Sequence, residues 1–349
     1  MSLVSRRRFL AAATGACGLA ALGGLGWYAS ARTGRSLVGV PVGNSAEGLR
    51  LVRQTGCALG AAVTITALHR HEAVGRKAVA AAFAELDLVE RVMSLYRPDS
   101  ELCRLNRAGS LDHPHPYLVD VLQQARTIAE QSGGAFDVTV QPLWDVYAAA
   151  RRDSRMPSEA EVAAACRKVD WRRVQVSADA IRLSGEGTAV TLNGIAQGFA
   201  ADRVMARLRE CGIEHALVNT GEVGSLGHKV TGEPWCAGIQ HPRQADAYAG
   251  LVRLDGRFLS TSGDYATTFS DDFTRHHIFE PATGRSPQAL ASVTVVAPTG
   301  MLADALSTAV FVLGVEKGMD LVRETPGADA LLVLKEDTRI ATDNFPAVS

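Results

Sequence analysis

Thr191-Leu192-Asn193-Gly194-Ile195-Ala196-Gln197-Gly198 leads from an apolar segment through closely spaced glycines into residues that recur at helical spacing. The pattern predicts a short strand over 189–192, a turn at Asn193-Gly194, and a helix that starts after Gly194 and runs to about Cys211. A glycine-flanked helix N-terminus exposes backbone N–H groups, so an anion such as phosphate is the guest it suits. The segment has neither the G-x-G-x-x-G of a dinucleotide fold nor the lysine of a P-loop, and tight helix packing explains its glycines equally well.

Outward from this stretch, helices and short strands alternate without an internal repeat. Residues 59–68 are β-branched enough for a strand, 73–92 recur at helical spacing, and 117–131 form a second helix that ends at Gly133-Gly134. Ser158-Glu159-Ala160-Glu161 is a capping box and opens a third helix. Short strands are expected over 174–176, 181–183, 216–219, 237–240, 251–254 and 292–297, and Thr299 can cap a last helix that closes at Gly314. Such interleaving specifies an α+β or mixed α/β body, with no long linker to divide it.

The N-terminus sets the compartment. Ser5-Arg6-Arg7-Arg8-Phe9-Leu10 is a twin-arginine export pattern, an uncharged Ala/Gly/Leu-rich stretch follows to Tyr28, and Ala29-Ser30-Ala31 offers the small residues a signal peptidase accepts. Residues 1–31 therefore read as a signal peptide that delivers the protein to the periplasm, 32–50 as a linker, and 51–340 as the folded domain. An uncleaved anchor is the alternative, since about 20 apolar residues span a bilayer. A lipidated Cys17 is disfavoured by the poor approach of Thr14-Gly15-Ala16. The chain has 349 residues, 47% hydrophobic and 21% charged, ample for a large core. Loss of the three signal arginines takes the formal charge from −1 to about −4, a balance that gives nucleic acid no electrostatic footing. The cysteines beyond the signal form no C-x-x-C pair and no zinc-site spacing, and read as buried small hydrophobes rather than a disulfide framework.

Three further segments ask for a chemical explanation. Ala303-Asp304-Ala305-Leu306-Ser307-Thr308-Ala309 lies in a helix that is nearly all apolar from 301 to 313. A helix apolar all round is buried, and an ionised carboxylate inside it is costly unless it meets a cation. Asp304 and Thr308 stand four apart, on one face, and carboxylate with hydroxyl is oxygen chemistry of the magnesium type. An aspartate bonded to a backbone N–H is the structural alternative. Arg275-His276-His277-Ile278-Phe279-Glu280-Pro281, preceded by Ser262-Gly263-Asp264-Tyr265, holds paired histidines that can bind metal, move protons or fill a polar niche. Gly133-Gly134-Ala135-Phe136-Asp137-Val138-Thr139 delivers an aromatic and an acid side by side after a glycine turn.

Together and in this order, these segments resemble the ApbE family of FAD:protein FMN transferases. The resemblance also draws in Met93-Ser94-Leu95-Tyr96, Asp99-Ser100-Glu101-Leu102, Leu105-Asn106, Pro142-Leu143, Asn219-Thr220-Gly221-Glu222 and Thr283-Gly284, and covers about residues 50–335. It implies a single ApbE-like, T-fold-like α+β body with FAD as substrate and Mg²⁺ as cofactor. It implies that Asp304, Thr308 and the backbone carbonyl of Gly194 hold the Mg²⁺ beside the FAD pyrophosphate. Tyr96, Ala135, Phe136 and Asp137 are similar to the family's flavin-contacting positions, with Gln197 and Ile278 nearby in its pocket, and His277 matches a general base. Thr191 stands where the family usually has an aspartate contacting FAD. The twin-arginine signal and the segments 262–269 and 276–281 look most like the NosX branch, which serves maturation of nitrous oxide reduction. The acceptor so implied is the flavin-carrying membrane protein NosR.

The chemistry implied is phosphoryl transfer to a protein hydroxyl. A Thr or Ser of the acceptor attacks the FMN-side phosphorus, a base takes its proton, and AMP leaves with its charge stabilised by Mg²⁺. Two alternatives share the pocket: a non-catalytic periplasmic FAD carrier, which Thr191 favours, and an FAD pyrophosphatase, in which water replaces the acceptor hydroxyl.

Overall fold

The computed structural model describes residues 37–40 and 48–348; the expected signal peptide, residues 1–31, lies outside them. Leu59 and Gly60 take positive φ angles of 50° and 78°, the backbone of a two-residue hairpin turn whose twist matches that of the strands it joins. They connect β2 (Arg50–Ala58) to β3 (Ala61–His69), so the run expected as one strand is a turn followed by a strand. β1 (Leu37–Val40) pairs antiparallel with β2, inside the stretch expected as a linker.

A small sheet contains β4 (Ser110–Asp112), β5 (Val174–Val176) and β6 (Ala180–Leu183), with β6 in the middle. The remaining strands of the main sheet are β7 (His215–Asn219), β8 (Val223–Leu226), β11 (Phe258–Gly263), β12 (Leu290–Ala297), β13 (Asp329–Leu334) and β14 (Arg339–Ala341), while β9 (Cys236–Gln240) and β10 (Tyr248–Arg253) form a separate ribbon. The main sheet has nine strands in the order β1-β2-β3-β7-β8-β11-β12-β13-β14, and each neighbouring pair is antiparallel.

The described residues also hold two short 3-10 helices, Val138–Val140 and Trp171–Arg173, and eight α-helices: α1 (Glu72–Met93), α2 (Glu101–Ala108), α3 (Pro116–Gln131), α4 (Gln141–Arg152), α5 (Glu159–Cys166), α6 (Ala196–Glu210), α7 (Gly300–Leu313) and α8 (Val315–Glu324). α1 packs on β2 and β3, α7 on β11 and β12, α8 on β13, and α6 lies between α1 and α7. Strand periodicity sorts the core accordingly. Val63, Ile65, Val293 and Val295 join the helices in one cluster, while Leu68, Val296 and Val333 face Trp235, Ile239 and Val252 of the ribbon side. Covered on both faces, β12 is buried along its whole length. The fold is the expected α+β body, and it extends past residue 340: Phe345 packs into the ribbon cluster, and Val348 N donates to Leu251 O.

Residues 189–192 are not the strand the sequence predicts. Asn106 Nδ2 donates to Val190 O (2.8 Å), Val190 N donates to Asn106 Oδ1 (2.7 Å), and Thr191 N donates to Val138 O (2.7 Å). One side-chain amide thus satisfies the two backbone groups that a neighbouring strand would have taken, and this bracket sets the course of the chain into α6. The expectation for the cysteines holds for the absence of a disulfide framework among the described residues and fails for burial. All five are free, but Cys57 and Cys236 are exposed and Cys103, Cys166 and Cys211 half-buried, because they occupy outward or peripheral positions of their elements.

Candidate active site

The site is built where α6 and α7 cross. A Cβ on Gly198 would lie 2.1 Å from Gly300 O and 2.7 Å from Asp304 Cβ, and one on Gly300 would lie 2.5 Å from Gly198 O. Neither position has room for a side chain, so the two helices touch backbone to backbone. Across this contact Gly198 N donates to Asp304 Oδ2 (3.0 Å). Asp202, one turn further along α6, accepts from Gly300 N (2.7 Å) and Met301 N (2.8 Å), satisfying donors of the first turn of α7. Thr308 follows Asp304 by one turn. Its Oγ1 is 2.9 Å from where a Gly194 Cβ would stand, with the Phe136 ring at 3.4 Å. The structure therefore brings Gly194, Phe136, Asp304 and Thr308 together.

Two buried carboxylates meet here without a cationic side chain among the described residues. Asp304 is 4% exposed, Glu222, in the turn between β7 and β8, is 6% exposed, and Glu222 Oε2 has no hydrogen-bond partner. Burial, then the nearby Glu222 carboxylate, raise Asp304 well above the ordinary carboxylate range against the opposing Gly198 N–H. Burial pushes Glu222 up to about 7 and Asp202 up to about 6. Asp264 is the contrast. It is fully buried yet accepts two bonds of 2.7 Å from Arg243 and one of 2.6 Å from Lys335. A buried carboxylate lacking such partners, beside a hydroxyl and a glycine, fits a divalent cation with oxygen ligands. Asp304, Thr308 and the Gly194 carbonyl would hold it, and its charge would offset theirs. No group of three or more His, Cys, Asp or Glu forms a metal cage among the described residues, so remaining ligands would come from substrate or water.

The other expected residues surround this centre unequally. Gly133 and Gly134, with φ of 61° and 87°, turn the chain after α3 and deliver Ala135 and Phe136. Asp137 points inward: it accepts from Thr139 N (2.7 Å), Thr139 Oγ1 (2.6 Å) and Trp171 N (3.0 Å), which makes it the organiser of that loop. Thr191 Oγ1 accepts from Asn193 N (3.3 Å) and shapes the turn into Gly194. Gln197 lies against Gly221 and its carbonyl accepts from Thr220 Oγ1 (3.1 Å), tying α6 to the segment that ends at Glu222. Tyr96 is exposed, with its ring over Gly60 of the β2–β3 turn. Ile278 is buried in the main core.

His277 Nδ1 is 3.2 Å from Thr267 O. A carbonyl only accepts, so Nδ1 carries the proton and Nε2 is left with its lone pair. Burial holds the imidazole below its usual range and therefore neutral. Its neighbour His276 has no exposed surface, has Nε2 3.1 Å from Pro287 O, and is pushed down to about 4 by burial. Among the described residues no hydrogen bond links either histidine to Asp304.

A family model described as the ApbE family matches residues 59–332. The chain belongs to the ApbE family. The FAD:protein FMN transferase of Salmonella typhimurium is 32% identical over 265 residues, spanning 72% of this chain and 75% of its own length. That of Escherichia coli is 31% identical over 271 residues, spanning 74% and 77%. Among solved structures, the flavin transferase ApbE from Vibrio cholerae aligns with a TM-score of 0.76 at 26% identity, covering 86% of this chain and 100% of its own. The ApbE protein of Thermotoga maritima gives 0.76 at 27%, covering 84% and 97%.

Sequence reasoning on this ApbE-family chain missed Asp202, the part played by Glu222, and the hydroxyls of Ser262 and Ser307. Asp202 had a readable signal, an acid four residues past Gly198 on the same face of α6. Glu222 gives the site a pH dependence. Its pKa is raised in the folded state, so the stability it contributes is full below its ordinary 4.5 and is lost as pH rises through about 7. Glu222→Gln cannot lose it. In urea unfolding with EDTA, the stability of Glu222→Gln relative to wild type should rise by roughly 2–3 kcal/mol between pH 4.5 and 8; a gap independent of pH would contradict the burial account.

Proposed function

We propose that this ApbE-family protein is an Mg²⁺-dependent FAD:protein FMN transferase, attaching FMN through a phosphoester to a Thr or Ser hydroxyl of an acceptor protein. The observation that carries the proposal is Asp304, buried without an internal cation and set beside Thr308 and Gly194, in a chain matched to the family over residues 59–332. Asp304, Thr308 and the Gly194 carbonyl would hold the cation, which would supply charge neutralisation for the FAD pyrophosphate and for AMP as leaving group. Gly133 and Gly134 present Ala135 and Phe136 to the flavin, with Tyr96, Thr191 and Gln197 nearby, while Asp137 holds this loop from within and Ile278 backs the pocket from the core. His277, neutral and with Nε2 open, takes the proton of the attacking hydroxyl.

Incubation of the full chain with FAD, Mg²⁺ and a flavin-acceptor protein should give a band with covalent flavin fluorescence on a denaturing gel. Release of FMN and AMP would make the protein a pyrophosphatase instead, and unchanged bound FAD would make it a carrier. Asp304→Ala should slow transfer by about 10²-fold or more while lowering FAD affinity less, because charge stabilisation of the leaving group is lost and other contacts persist. Transfer at the normal rate by Asp304→Ala, or indifference of the wild type to EDTA, would contradict the assignment.

The physiological setting we infer is periplasmic, with export through the twin-arginine route and a NosR-type membrane flavoprotein of nitrous oxide respiration as acceptor. Ser5-Arg6-Arg7-Arg8-Phe9-Leu10 supports the route, and the 262–269 and 276–281 segments support the branch. Replacing Arg6 and Arg7 with lysine should trap the precursor in the cytoplasm on cell fractionation; normal periplasmic accumulation would exclude this route.

A further inference from the structure

A row of hydroxyls lies between β11 and α7. Ser262 Oγ is 2.7 Å from Ser307 Oγ and 3.2 Å from Thr308 Oγ1. Ser307 Oγ donates to Asp304 O (2.9 Å) and lies 3.3 Å from Ser260 Oγ. Ser260 and Ser307 are buried at 1% and 0% exposure, and Ser260 has the Glu222 carboxyl as its own partner.

Each hydroxyl has one proton, and the row fixes where each one goes. Ser307 gives its proton to the Asp304 carbonyl, an oxygen that only accepts. At the 2.7 Å contact Ser262 is then the donor, and at the 3.2 Å contact it has only lone pairs to offer. The Thr308 proton therefore points to Ser262. A helical threonine commonly directs its proton to the carbonyl four residues back, here Asp304 O, but Ser307 occupies that oxygen. With its proton drawn towards β11, Thr308 Oγ1 leaves its lone pairs for the side where Gly194 lies.

We propose that Ser262 is a positioning residue, which holds the Thr308 hydroxyl as a pure acceptor before any ligand arrives and so makes the pocket beside Gly194 and Asp304 selective for a cation. This rests on the reading that Asp304 and Thr308 hold a divalent cation. Without Ser262, Thr308 becomes a free rotor whose proton spends part of its time facing the cation.

Valine and threonine have the same shape, so Ser262→Val and Ser262→Thr differ in the hydroxyl alone. Mn²⁺ is titrated into the full chain, with FAD present, and free Mn²⁺ is followed by its EPR signal. Ser262→Val should weaken Mn²⁺ binding about tenfold relative to Ser262→Thr, the effect of one hydrogen bond to a charged site, while FAD affinity in EDTA is equal in the two variants. Adding Ser307→Ala to Ser262→Val should restore most of the affinity, because it frees Asp304 O as the outlet for the Thr308 proton, a rescue that general loosening of the site would not give. Equal Mn²⁺ binding by the Val and Thr variants, or no recovery in the double variant, overturns the proposal. If Asp304→Ala nonetheless abolishes binding, the cation reading stands alone; a wild type that binds no Mn²⁺ overturns both.

Discussion

At Gly198 and Gly300 two helices meet with no side chain between them, and each chemical group of the site takes its place from that contact. α6 and α7 run past each other in steps of four residues. Gly194 meets Thr308, Gly198 meets both Asp304 and Gly300, and Asp202 meets Gly300 and Met301. Residues four apart share one face of a helix, so a single close approach brings the turn at Gly194, the Asp304 carboxylate and the Thr308 hydroxyl along one seam. The turn before α6 is held independently by Asn106 on Val190 and by Val138 on Thr191. The seam therefore has a fixed upstream end as well as a fixed crossing.

The distribution of buried charge gives this seam its chemical character. Asp264 is neutralised within the chain by Arg243 and Lys335, and Lys335 also donates to Phe273 O, which ties down the loop leading to His276 and His277. Asp304 and Glu222 receive no such partner among the described residues, although both are buried as deeply as core aliphatics. In the proposed function, a pyrophosphate beside these carboxyls in their ionised form would be repelled unless a divalent cation stood between. In the proposed reaction the carboxylate that is costly to ionise unaided would make the site selective for a cation, and the neutral imidazole of His277 adds a base without adding charge.

What could be read from the sequence was the local part. The capping box at Ser158 forms with both of its bonds, Thr299 caps α7, and the shared face of Asp304 and Thr308 follows from helical spacing alone. What could not be read depends on contacts distant in sequence. Gly198 is a glycine because Gly300 O lies against it, and Asn106 acts as a substitute strand for a residue 84 positions away. Residues 189–192 look like a strand because they are apolar and extended, which does not reveal that their partner is a side chain. Asp137 was legible as part of the segment after the Gly133-Gly134 turn, but its oxygens are turned to Thr139 and Trp171, and no local pattern distinguishes an acid that shapes a loop from one that faces a ligand.

The central claim is that the carboxylate of Asp304 is built to be completed by a divalent cation from outside the chain. Anomalous diffraction from crystals grown with FAD and Mn²⁺ tests it most directly. The account predicts one strong manganese peak in contact with Asp304, Thr308 and the Gly194 carbonyl, with FAD phosphate oxygens among its remaining ligands. A peak elsewhere, or FAD bound with no metal against Asp304, would contradict it.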